Sequence, residues 1–95
     1  MIVEWLPAAH TNLRDAVAYI AEGNPSAALD VLDEIEAQSG SLGDFPELGR
    51  PGRVDGTREL VVNRTPFILV YRVLKNEELV QILRLLHGAQ QWPEA

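Results

Sequence analysis

The sequence predicts an α+β fold in the order β-α-α-β-β-β, with a helical hairpin packed on one face of a twisted, mostly antiparallel sheet. Two observations predict it. Apolar residues recur at helical spacing in two segments of the first half, and three short segments rich in β-branched and aromatic residues fill the second half. The length of 95 residues, 46% of them hydrophobic, suits one domain over residues 1–95.

The first elements are a short strand and a helix. Residues 1–6, MIVEWL, carry the weak alternation of a strand. Pro7 ends that strand and opens a helix, which extends to about Glu22 and which Gly23 is predicted to cap. The buried face of this helix follows the i, i+3, i+4, i+7 spacing and consists of Leu13, Ala16, Val17 and Ile20.

A second helix follows at once. Asn24 is a favoured N-cap residue, and Pro25 stands at the first helical position. The helix is predicted to end near Gly40 or Gly43. Its inward face consists of Ala28, Leu32, Ile35 and Leu42. Because the connection is so short, the two helices must pack as an antiparallel hairpin.

The second half predicts one irregular loop and three strands. Residues 44–56, DFPELGRPGRVDG, are rich in glycine and proline, so no regular element is expected there, and long loops of this kind are often functional. The strands are residues 57–63, 67–74 and 79–86, with a polar turn between the last two. The middle strand is apolar on both faces except at Arg72, which is typical of a central strand.

Composition excludes several classes of function. The chain has no cysteine, which excludes disulfides and thiolate metal sites. No apolar run reaches the roughly 18–20 residues of a membrane span, and the N-terminus does not read as a signal peptide, so we expect a cytoplasmic protein. His10 and His87 are too isolated for a metal site. We expect neither a metal nor another cofactor.

The charge is unevenly distributed along a chain whose net charge is −6. Residues 1–47 hold one basic residue, Arg14, against nine acidic ones, whereas residues 48–95 hold seven basic residues against five acidic ones. An acidic protein is a poor candidate for unaided nucleic-acid binding, and we expect neither direct nucleic-acid binding nor a membrane partner. An anionic partner would have to meet the second half.

Five segments together resemble the ParE branch of the RelE/ParE toxin superfamily: VEWLPAA, AVAYIAEGNPSAA, FPELGRPGRVDGTREL, PFILVYRV and ILRLLHGAQQWP. The resemblance covers nearly the whole chain and implies the β-α-α-β-β-β fold. It also implies the toxin of a type II toxin–antitoxin system (a plasmid stabilisation protein), which arrests growth and is neutralised by a ParD-like or other ribbon-helix-helix antitoxin. Relatives of the ParE type act against DNA gyrase, and relatives of the RelE type cut messenger RNA on the ribosome.

The chemistry of RNA cleavage separates these two activities. Metal-independent cleavage must deprotonate the 2′-hydroxyl, stabilise the phosphate charge and protonate the leaving oxygen. Candidates for these roles are Arg64, Arg84 and His87, with Glu47 or Glu59. No tyrosine follows His87, and the loop lacks the lysines of ribosome-binding relatives. The sequence therefore favours a gyrase inhibitor that acts by contact and is not an enzyme; a RelE-type endoribonuclease and a degenerate, non-toxic homologue are the alternatives.

The candidate residues for contact with the target or the antitoxin are Arg50, Arg53, Arg58, Arg72 and Trp92. Several of the candidate residues have a structural alternative. Arg72 and Arg84 suit paired structural arginines, and His87 suits a capping or packing histidine. Arg50 and Arg53 suit solvated side chains, or ion pairs with Asp44, Glu47 or Asp55.

A partner is expected to complete the fold. We predict an exposed groove between sheet and helices that accepts an amphipathic helix or an added strand of the antitoxin, whose acidic side chains reach the Arg-rich half. The sheet face away from the helices also needs a cover, and the tail after Gly88 is expected to supply little of it. A tryptophan in that tail, Trp92, favours an interface.

Overall fold

The computed structural model describes residues 1–88 and 90–93. The helices are α1 (Pro7–Gly23) and α2 (Pro25–Ser41). The strands are β1 (Ile2–Trp5), β2 (Arg50–Pro51), β3 (Arg58–Val61), β4 (Phe67–Leu74) and β5 (Leu79–His87). They form one five-stranded sheet in the order β1-β5-β4-β3-β2, in which β1 runs parallel to β5 and the other pairs are antiparallel. The predicted fold class is confirmed.

One residue joins the two helices. The Asn24 side chain accepts a hydrogen bond from the backbone N–H of Ala27 at 3.0 Å, which caps the start of α2. Its own N–H donates to the carbonyl of Ile20 at 2.9 Å and so ends α1. The prediction that Gly23 caps α1 is wrong, because Gly23 is the last helical residue and Asn24 adopts the extended backbone that turns the chain.

The prediction of no regular element in residues 44–56 is also wrong, since Arg50 and Pro51 pair with Glu59 and Arg58 as β2. Proline is tolerated there because β2 is an edge strand that needs no further donor. The strand predicted over 57–63 is shorter in the structure, Arg58–Val61, and the last strand continues to His87.

The sheet has two different faces. The helix face carries Leu69, Tyr71 and Ile82, which pack with Ala9 of α1 and Ile35 of α2 in the main core. The open face, on the other side, includes Glu59, Ile68, Val70, Arg84 and Leu86. Strand β4 is buried from Phe67 to Tyr71, as the prediction of a central strand requires.

A β-bulge in β5 sets which side chains reach the core. Val70 pairs with Arg84 but Tyr71 pairs with Ile82, so Leu83 is the extra residue. The alternation of β5 therefore shifts by one, and both Ile82 and Leu85 reach the helix face. A strict alternation from Ile82 would place Arg84 on the helix face and Leu85 on the open face. The bulge reverses this, so Arg84 lies on the open face and Leu85 packs in the core.

The tail covers part of the open face. Trp92 packs against the small apolar cluster of Ile68, Val70 and Leu86. The expectation that the tail supplies little cover is wrong for this cluster, because one indole ring is large enough to shield it. Within the described residues, no helix is both long and apolar enough to span a membrane.

Candidate functional site

A groove lies between the helical hairpin and the end of the sheet, as the sequence predicts, with a volume of about 670 Å³. Its wall is mainly apolar and includes Ile20, Val31, Phe67 and Leu85. Asn12 belongs to the same wall and accepts a hydrogen bond from the backbone N–H of Leu85 at 3.2 Å, which joins α1 to β5. The groove is therefore preformed by the packing of helix on sheet.

Polar groups stand at the edge of this groove. Asp15 lines it, and Tyr19 is 78% exposed beside it. His87 pairs with Phe67 across β4 and β5, and their rings meet edge to face at 5.9 Å between centroids. The backbone N–H of His87 donates to Gln90 Oε1 at 3.3 Å. His87 thus belongs to the groove on the helix face.

A row of paired residues crosses the open face. Arg50 pairs with Glu59, Glu59 with Val70, and Val70 with Arg84. The Arg84 guanidinium lies 5.7 Å from the centroid of the Trp92 ring, a cation–π distance, and its Nη1 donates to the carbonyl of Leu83 at 2.7 Å. Cations therefore flank this row at both ends.

Glu59 contacts Arg50 of this row and also Arg53. Its side chain is 1% exposed, and its Oε1 lies 3.0 Å from Nη2 of Arg53 and 3.4 Å from Nη2 of Arg50. The backbone N–H of Arg53 also donates to Oε2 at 2.9 Å. The hydrogen bonds from Arg53 outweigh burial and lower the pKa of Glu59, and the same contact raises the pKa of Arg53.

The predicted ion-pair partners of these arginines are therefore wrong. Arg50 and Arg53 contact Glu59, not Asp44, Glu47 or Asp55. The sequence did indicate Glu59 as a partner, because it is an acidic residue inside a predicted strand. A carboxylate at a buried strand position needs a paired charge. Glu47 instead contacts Lys75, with Oε1 and Nζ at 3.7 Å.

Tyr71 fixes the chain before β2, and sequence reasoning missed it. Its buried hydroxyl donates to the carbonyl of Pro46 and accepts from the backbone N–H of Gly49, both at 2.8 Å. Burial raises the pKa of Tyr71. Nη1 of Arg58 donates to the carbonyl of Gly49 at 2.7 Å, so this arginine also serves to position the loop.

Arg72 and Arg64 have partners elsewhere. Nε of Arg72 donates to Gln81 Oε1 at 2.8 Å, and Gln81 Nε2 donates to Glu4 Oε1 at 2.9 Å, which makes a ladder over β4, β5 and β1. Arg64 adopts a left-handed backbone with φ of 63° in the turn before β4. Its Nη2 lies 2.9 Å from Glu34 Oε1 on α2.

The structure does not bring the three candidate nuclease residues together. Arg64 is paired to the helical hairpin, Arg84 lies on the open face beside Trp92, and His87 lies on the helix face. Among the described residues, no group of three histidine or carboxylate side chains could hold a metal ion. What the open face does bring together is Arg50, Arg53, Glu59, Arg84 and Trp92.

The family follows from comparison with known proteins. A family model described as the ParE toxin of the type II toxin–antitoxin system parDE matches residues 3–92. The chain belongs to the ParE toxin family. Among the relatives of this ParE-family chain is Y4kP, a candidate toxin of Sinorhizobium fredii (strain NBRC 101917 / NGR234). The two are 38% identical over 92 residues, which is 97% of this chain and 93% of the relative.

Solved structures agree with that assignment. A chain of the chromosomal ParDE toxin–antitoxin system from P. aeruginosa matches with a TM-score of 0.81 and 29% identity, over 92% of this chain and 95% of that chain. A chain of the RelBE2 toxin–antitoxin complex from Mycobacterium tuberculosis matches with a TM-score of 0.60 and 26% identity, over 90% and 94% of the two chains. A chain of the intact E. coli RelBE toxin–antitoxin complex shares the fold. It matches with a TM-score of 0.68 and 12% identity, over 95% of this chain and 98% of that chain. This ParE-family chain is thus a toxin of a type II toxin–antitoxin system.

Proposed function

We propose that this toxin inhibits DNA gyrase by protein–protein contact and does not itself cut RNA. The observation that carries the proposal is the separation of Arg64, Arg84 and His87, which have different partners on different faces. Cleavage of RNA without a metal needs a base, an acid and a cation around one phosphate. Inhibition by contact needs only a complementary surface.

The open face is the surface that we assign to the target. The side chains of Arg50 and Arg53 are 60% and 42% exposed although both contact Glu59, and Arg72 is exposed on the same face. In a chain with a net charge of −6, these cations favour an acidic patch on the target. Trp92 contributes apolar area beside them, and Arg58 contributes by holding the loop in place.

The groove on the helix face is the site that we assign to the antitoxin. Its apolar wall suits the apolar side of an amphipathic helix. Asp15 at its edge favours a basic residue on that helix, which adds to the earlier expectation that acidic side chains reach the Arg-rich half. We propose a ParD-like or other ribbon-helix-helix antitoxin and a cytoplasmic complex; the solved relatives named above come from toxin–antitoxin systems.

A RelE-type endoribonuclease is the second candidate, and one observation favours it. Arg50, Arg53 and Arg84 lie on the open face with Trp92, and guanidinium groups beside an aromatic ring suit a phosphate and a base. Against it, Glu59 already neutralises part of that charge. A degenerate homologue that keeps the fold and the antitoxin but has lost its toxicity is the third candidate.

Two sets of variants separate the candidates in a growth-arrest assay. The first combines Arg64→Gln and His87→Gln, the two nuclease candidates that lie off the open face, and we expect it to arrest growth within about twofold of the unmodified toxin. The second combines Arg50→Glu and Arg72→Glu, and we expect it to lose arrest, because reversed charges repel an acidic target. Primer extension on translated messages provides the control. New message ends that disappear with the first set would overturn the proposal in favour of the nuclease.

A further inference from the structure

We infer that Phe45 and Leu48 form a rigid apolar knob that inserts into a cleft of the target protein. The knob is defined as the turn of residues 45–48. Phe45 and Leu48 are 63% and 55% exposed, although both are large apolar side chains. The backbone N–H of Leu48 donates to the carbonyl of Phe45 at 3.1 Å, so the two residues stand at the ends of one β-turn and close to each other. The inference rests on the proposed function, because it assumes a protein target.

Hydrogen bonds to the rest of the fold hold the knob still. The backbone N–H of Phe45 donates to the carbonyl of Ser41 at the end of α2, at 2.9 Å. The buried Tyr71 hydroxyl bonds both Pro46 and Gly49, and Pro46 at the second turn position restricts the backbone further. A turn whose backbone is already fixed loses little backbone entropy on binding, which is a property of an interface anchor. A turn that only connected α2 to β2 would not need to hold Phe45 and Leu48 exposed on a fixed backbone.

Charge indicates the kind of cleft that fits. Asp44 precedes the knob and is exposed. The Glu47 side chain within the knob is 64% exposed, and its Oε1 lies 3.7 Å from Nζ of Lys75, which is 75% exposed. We therefore expect an apolar cleft with a basic rim on the target. The knob is separate from the groove that we assign to the antitoxin, because none of residues 45–48 lines that groove. Phe67 lines the groove, whereas Tyr71, which holds the turn of the knob, lies four residues further along β4, about 13 Å from Phe67 at the rise of a strand.

The test uses the full chain with the double substitution Phe45→Ser and Leu48→Ser. The matched control is Leu29→Ser on α2, where the side chain is 62% exposed and lies outside the knob. We expect the double variant to need at least about tenfold more toxin for half-maximal growth arrest and for half-maximal inhibition of gyrase supercoiling. The control should behave as the unmodified toxin. Thermal unfolding and co-purification with the antitoxin should be unchanged in both.

The outcomes separate this inference from the proposed function. Growth arrest and gyrase inhibition by the double variant at the unmodified level would overturn the knob and leave gyrase as the target. Growth arrest that is lost with the knob, while the unmodified toxin never inhibits gyrase, would support the knob and overturn gyrase. Loss of antitoxin binding in the double variant but not in the Leu29→Ser control would assign the knob to the antitoxin and overturn the inference. A change of oligomeric state in the double variant would assign the knob to a second copy and also overturn it. An unmodified toxin without any effect on growth would overturn both.

Discussion

Glu59 and Arg53 form an ion pair that fixes the loop between β2 and β3. Nη2 of Arg53 lies 3.0 Å from Oε1 of a carboxylate that is 1% exposed, and the Arg53 backbone N–H donates to the other oxygen at 2.9 Å. One carboxylate thus binds both the side chain and the main chain of the same residue. This contact fixes the loop together with Gly56, which has a φ of 81°.

Replacing Glu59 with glutamine should destabilise the fold. Glutamine keeps the size of the side chain but loses the charge, and it cannot accept all the hydrogen bonds that the carboxylate accepts. We expect the free energy of unfolding to fall by about 1–3 kcal/mol. Urea denaturation followed by circular dichroism measures it. Arg50→Gln is the control, and its effect should be small because Arg50 is largely exposed. Equal effects from both variants would contradict the assignment.

The stability contributed by Glu59 should depend on pH. Its pKa in the folded protein lies below the ordinary value of 4.5. The unfolded chain therefore takes up the proton first, and the contribution is complete above pH 4.5 and is lost as the pH falls through the folded value. The stability difference between the unmodified protein and Glu59→Gln should shrink below that pH. A difference that stays constant down to acid unfolding would argue against a charged Glu59.

Two glycines should respond to alanine in opposite directions. A Cβ atom at Gly49 would lie 2.8 Å from the Tyr71 hydroxyl and 2.9 Å from the carbonyl oxygen of Glu59. We expect Gly49→Ala to cost about 1–3 kcal/mol, because neither the buried ring nor the backbone can move freely. Gly40 lies within α2 with no atom near its Cβ position, so Gly40→Ala should stabilise by about 0.5–1 kcal/mol. Thermal unfolding checks both signs.

Replacing Trp92 with phenylalanine should lower the free energy of unfolding by less than the smaller ring alone predicts. Its Nε1 is buried and has no acceptor among the described residues. Trp92→Ala uncovers Ile68, Val70 and Leu86, and we expect a loss of about 1–3 kcal/mol. Trp92→Phe keeps much of the cover and removes the unsatisfied N–H, so its loss should be under half of that. Urea denaturation followed by far-ultraviolet circular dichroism compares them, and equal losses would show that the indole nitrogen does bind an acceptor.

The fold could be predicted from the sequence because its signals are local. Asn24-Pro25 marks the boundary between the helices, and the apolar run 67–74 identifies the central strand. The two-residue strand β2 could not be predicted, because it exists only through pairing with β3 and contains a proline. The bulge at Leu83 was also missed. Strict alternation would place Gln81 and Arg84 on opposite faces, and the bulge places both on the open face.

The candidate site was less predictable for a related reason. The arginines could be selected by residue type, but the partners of Arg50 and Arg53 depend on which side of β3 carries Glu59. Tyr71 gave no signal, since an apolar strand explains a tyrosine without any role for its hydroxyl. Arg84 and His87 follow Arg64 by 20 and 23 residues, and the sheet and the hairpin direct the three side chains to separate surroundings.

The most direct test of the central claim is a supercoiling titration with purified gyrase, the purified toxin and no ribosomes or messenger RNA. Action by contact predicts inhibition that rises with toxin concentration and is reversed by stoichiometric antitoxin. The double variant Arg64→Gln, His87→Gln, whose substitutions lie off the open face, should give the same curve as the unmodified toxin. Unaffected supercoiling at every toxin concentration, together with cleavage of translated messages by the same preparation, would contradict the claim.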